Sequence, residues 1–115
     1  MSYELPTLTW CRVDRWLNAQ LVGFDKTPGL LRFIHKDMIV YIASETRSLA
    51  NFRRFATPGG SWKSHEGGRK VHEYRDNLEL EYAVIQASPT EIERIRDALI
   101  RQHQPDFNKR DGSQD

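Results

Sequence analysis

The chain has 115 residues, 38% hydrophobic and 29% charged, the composition of one globular domain, which excludes wholesale disorder and is too short for two cores. Seventeen basic residues against sixteen acidic ones leave a net charge of +1, so no overall field draws the chain to nucleic acid or membrane, and such binding would need a local patch. No apolar run approaches the roughly 20 residues of a membrane helix, the start MSYELP lacks signal-peptide character, and the single Cys11 has no internal disulfide partner, so a cytoplasmic protein without membrane contact is expected.

In chain order, Trp10, Val13, Leu17 and Leu21 fall at helical spacing behind the possible caps Thr7 or Thr9, which predicts an amphipathic N-terminal helix over 9–22. The stretch FDKTPG at 24–29 breaks the pattern. Leu30 to His35 and Met38 to Ala43 are apolar runs separated by Lys36 and Asp37, the arrangement of a β-hairpin. Ser48 to Phe55 predicts a short helix that buries Leu49, Phe52 and Phe55 and exposes a basic side. Residues 57–68 hold four glycines and a proline, the composition of a surface loop, and Arg69 to Arg75 predicts another short helix. Leu78 to Ala87 alternates as a third strand. Ser88-Pro89-Thr90-Glu91 supplies an N-cap, a proline at the first helical position and a glutamate at the third, so a helix lined by Ile92, Ile95 and Leu99 starts there and stops before Pro105. From Lys109 onward nothing can be buried, and 109–115 reads as a flexible tail.

The order hairpin, helix, strand, helix, closed by Leu99-Ile100 and Pro105-Asp106-Phe107-Asn108, resembles the GIY-YIG nuclease family over residues 28–108. Gly29-Leu30-Leu31 and Tyr41-Ile42-Ala43 stand where that family carries its two name-giving triplets. The resemblance implies an α+β domain, a three-stranded sheet flanked by helices, here with residues 1–27 as an added N-terminal helical extension. It also implies phosphodiester cleavage by a divalent metal, a water-positioning tyrosine, an arginine beside the phosphate and a metal-holding glutamate. Such a set works because metal and arginine neutralise charge building on the phosphate oxygens while a base activates water.

Carried over position by position, that set is largely broken. The first tyrosine becomes Leu31, the second is Tyr41, and the closing glycine becomes Ala43. The arginine falls at Asn51 or Phe52, with Arg53 and Arg54 adjacent. The metal-holding glutamate becomes Arg96, a cation that would repel Mg²⁺. Glu93, one turn upstream, is a possible substitute, and Asn108 is kept. The expected function is therefore a catalytically degenerate nuclease-like domain that retains nucleic-acid binding, DNA in particular, with no cofactor. One alternative is an active Mg²⁺-dependent endonuclease using Tyr41, Arg53 or Arg54, and Glu93.

Beyond the resemblance, His35, His65, His72 and His103 show no zinc-motif spacing, although His65 and His72 flank the glycine-rich segment and could supply a base. Arg47, Arg53, Arg54, Lys63, Arg69 and Lys70, with Trp62 among them, form the candidate nucleic-acid contact set, together with Arg96 and Asn108. Cations pair with phosphates and an indole stacks on a base. A like cluster would also suit an acidic protein partner, and Trp10 and Trp16, if exposed, would favour such an interaction module.

Overall fold

A computed structural model of the chain describes residues 4–19, 26–57 and 66–108. Four antiparallel strands, β1 (Cys11–Arg12), β2 (Gly29–His35), β3 (Met38–Glu45) and β4 (Glu79–Val84), form one sheet in the order β1-β4-β2-β3. The described residues also form two α-helices, α1 (Glu66–Glu73) and α2 (Pro89–His103), and short 3-10 helices, of which Leu49–Phe55, between β3 and α1, is the longest. The architecture is α+β, as the sequence implies.

Both faces of the sheet are covered, which is why β2 reads as a nearly unbroken apolar run rather than an alternation. On one face Leu31, Phe33, Val40, Ala43 and Leu80 pack under Leu49, Phe52 and Phe55, Val71 of α1, and Trp16. On the other, Leu30, Ile42 and Ile85 pack against Ile92, Ile95 and Leu99 of α2, with Leu5, Leu8 and Trp10 completing the layer. Gly29 opens β2 where the backbones crowd. A Cβ there would sit 2.1 Å from the carbonyl oxygen of Ala83, so only glycine allows that approach.

The β2–β3 hairpin turns through Lys36 and Asp37, both at positive φ, the backbone that matches the twist of the strands. The register shifts between Phe33, which faces Tyr41, and Ile34, which faces Ile39. Val40 is thus an extra residue, and the bulge turns Val40 and Tyr41 toward the same core. α2 begins as its cap predicts, with the Ser88 hydroxyl accepting from the Glu91 amide at 3.1 Å, and it ends on Gln104 in the left-handed conformation just before Pro105.

Three expectations are corrected. The N-terminal helix is absent among the described residues: Cys11 and Arg12 pair with Tyr82 and Glu81 as a fourth strand, followed by a 3-10 turn at Trp16–Asn18. The helical spacing was coincidental, because Trp10 packs on one face of the sheet while Val13 and Trp16 pack on the other. Arg15 at φ 52° breaks any helix there, and the Trp16 indole donates to the Leu78 carbonyl at 2.9 Å. The sheet therefore has four strands rather than three, and the segment before residue 28 is in part built into it rather than appended as a helical extension. Leu21 lies outside the described residues. Third, α1 starts at Glu66, inside the segment read as a loop. Its Gly67 looks like a loop residue in sequence, but a Cβ there would lie 2.3 Å from the Tyr41 ring and 2.4 Å from the Phe107 carbonyl oxygen.

Candidate functional site

An open groove of about 440 Å³ runs along the free edge of β3, between α1 and α2. Tyr41 through Ser44, Arg54, Glu66, Gly67, Arg96, Asp97, Ile100, Phe107 and Asn108 line it. Its position follows from strand order: β3 is an edge strand, and unpaired edge amides and carbonyls need partners. Asn108 provides them, its side-chain oxygen accepting from the Ile42 amide at 2.9 Å and its amide nitrogen donating to the Ile42 carbonyl at 3.0 Å.

Tyr41 is turned by the bulge into an aromatic cluster with Phe33 and Phe55, at ring separations of 6.3 and 6.0 Å. Burial pushes its hydroxyl pKa up, against the opposing pull of Arg54 and Arg96, so it holds its proton at neutral pH. Glu45, at the end of β3, is buried and ion-paired with Arg54. Burial pushes its carboxyl up to about 7 even though the guanidinium pulls it down. Arg54 also donates to the Asn51 carbonyl at 3.1 Å and lies 4.4 Å over the Phe55 ring.

Arg96 reaches across from α2, donating to the Ser44 hydroxyl at 3.0 Å and to Asp97 through Nε at 3.0 Å and Nη2 at 2.9 Å. With 30% of its side chain exposed, it presents a held guanidinium to the groove. This is the position at which the resemblance puts the metal-holding glutamate. Magnesium requires a shell of oxygen ligands, yet the two carboxylates in the lining, Glu66 and Asp97, are ion-paired to Arg69 and Arg96. Among the described residues no three His, Cys, Asp or Glu side chains converge. Among the described residues, the groove lining therefore offers no unpaired carboxylate to a divalent cation.

The groove thus brings together Tyr41, Arg54, Arg96 and Asn108 from the sequence-derived set. Arg53 and Glu93 are exposed and outside the lining, so neither stands with Tyr41. Leu31 is fully buried in the core. Arg47 is exposed on the connection after β3, Arg69 is exposed on α1, and the Lys70 ammonium lies 6.0 Å from the Phe107 ring. Trp62, Lys63 and His65 lie outside the described residues. His72 is engaged with the Phe55 carbonyl at 2.7 Å. Trp16 is core and Trp10 is half-buried under Arg32, 4.1 Å from its ring, so neither is a free aromatic anchor.

Sequence reasoning missed Ser44, Asp97 and Phe107 as groove-lining residues, and Glu45 as the buried partner of Arg54. The signal for Glu45 was an acidic residue continuing an apolar strand, which needs either exposure or a cationic partner.

The sheet order, the packing of α2 and the Asn108 clasp together define a GIY-YIG fold, and solved structures agree. The chain is similar to the N-terminal GIY-YIG endonuclease domain of UvrC from Thermotoga maritima bound to magnesium, at a TM-score of 0.62 and 20% identity over 84% of this chain and 99% of that one. A tyrosine-to-phenylalanine variant of that domain aligns at a TM-score of 0.63 and 21% identity, over 85% of this chain and 100% of that one. Searches against protein-family models and curated proteins find no match.

Proposed function

We propose that this chain is a GIY-YIG-fold module that binds nucleic acid, DNA in the first place, and does not cleave it. The observation that carries this reading is Arg96, a guanidinium held by Ser44 and Asp97 in the position of a metal-bound carboxylate. A fixed cation there faces a phosphate directly, and its planar fork suits two phosphate oxygens. Arg54, on the same groove, supplies a second cation, restrained by Glu45. Tyr41 keeps its proton and serves as wall and hydrogen-bond partner rather than as base. Among the described residues the bond-breaking roles have no occupant: Leu31 carries no exchangeable proton, and the lining carboxylates are already paired.

A cleavage assay tests this on plasmid, single-stranded DNA and RNA with Mg²⁺ or Mn²⁺, beside a binding assay in EDTA. Binding in EDTA with no cleavage is expected. Metal-dependent cleavage would replace this reading with an active nuclease, and neither binding nor cleavage would point to a protein partner.

A further inference from the structure

Beside the groove, α1 and the residue that follows it carry an aromatic surface that the phosphate site does not use. Tyr74 directly follows α1 and continues its hydrogen bonding, its amide donating to the Lys70 carbonyl at 3.0 Å. One turn apart, the two side chains share a face, and both reach Phe107. The Tyr74 and Phe107 ring centroids are 5.9 Å apart at a tilt of 33°, and the Lys70 ammonium is 6.0 Å from the Phe107 ring. Phe107 in turn lines the groove that holds Arg54 and Arg96. Tyr74 remains 48% exposed and stands just outside the groove lining, against Phe107, which is part of it.

Holding the C-terminal turn does not require an open tyrosine face, because the neighbouring Asn108 already clasps Ile42 through two hydrogen bonds. An exposed aromatic side chain next to a groove that holds two guanidiniums, with an ammonium on the same helix face, is the combination that binds a single strand: cations take the backbone and the ring takes a base. A continuous duplex offers no base face, since each is stacked on its neighbours. We propose that Tyr74, with Phe107 and Lys70, is a stacking platform for an unpaired base, so that the groove's ligand is single-stranded nucleic acid. This rests on the nucleic-acid reading above and adds the strand preference to it.

The test measures binding of an oligo-dT 12-mer and of a blunt duplex of equal length to the intact chain, in EDTA at low salt. The parent is expected to prefer the oligo-dT. Tyr74→Ala should lose roughly tenfold for the single strand, the effect of removing one stacking partner, and little for the duplex. Tyr74→Trp should keep the affinity, and Tyr74→Leu, which still covers Phe107 but has no π-face, should lose it with an unchanged melting temperature. Oligo-dT binding unchanged in Tyr74→Leu, or a parent that prefers duplex, overturns the platform. If binding falls in Arg96→Glu but not in Tyr74→Leu, the platform fails and the groove reading stands. If the parent binds neither probe, both fail.

Discussion

Arg96 and Asn108 line the same groove, and each answers a different demand. Asn108 bonds to backbone, closing the exposed edge of β3 at Ile42, a demand that the strand order sets. Arg96 bonds to side chains, Ser44 and Asp97, rather than to main-chain groups of the sheet. The contrast teaches that the fold is carried by groups satisfying main-chain donors and acceptors, while charge in the groove can change without touching the scaffold.

Asn108→Ala should break the first half of this comparison and have the largest effect. Removing both bonds leaves the Ile42 amide and carbonyl without partners, and the loss should be about 3 kcal/mol in a denaturant titration. Stability unchanged in that variant would mean that water serves the β3 edge equally well.

A smaller effect follows from Glu45. Its folded-state carboxyl sits at about 7 against an ordinary 4.5, so between those values the folded chain holds the proton more tightly than the unfolded chain. Stability is therefore highest below that window and falls as pH rises through it, by about 2 kcal/mol from pH 5 to 7. Neutral Glu45 also releases Arg54, so phosphate binding should tighten toward low pH. Glu45→Gln should flatten both profiles, and a wild-type stability that rises across this window would contradict the assignment.

Tyr41→Phe should do least. With the hydroxyl protonated and the ring packed against Phe33 and Phe55, the variant should stay within about 0.5 kcal/mol of the parent in stability and bind nucleic acid nearly as well. A metal-dependent cleavage activity that falls a hundredfold in this variant would make the hydroxyl catalytic.

Much of this was legible from sequence where the determinants are local. The Ser88-Pro89 start of α2 is set within four residues, and the Lys36-Asp37 turn within two. The fourth strand was not legible, because Cys11 and Arg12 become a strand through pairing with β4, 69 residues away for Arg12 and Glu81. The start of α1 was hidden by glycines, of which Gly67 packs where a Cβ would strike Tyr41 and Phe107. Within the groove, Arg96 was visible as a misplaced cation, whereas Glu45 and Tyr74 beside it acquire meaning only from burial and exposure, which depend on distant packing.

Binding by Arg96→Glu tests the central claim most directly. At low salt in EDTA, the variant should fold as well as the parent yet bind nucleic acid more weakly by over the roughly 1–3 kcal/mol typical of charged hydrogen bonds, since an attraction is lost and a repulsion gained. The deficit should shrink as salt rises, and Mg²⁺ should not restore cleavage. Affinity equal to the parent at low salt in a fully folded variant would contradict the account, because the groove would then not be where nucleic acid binds.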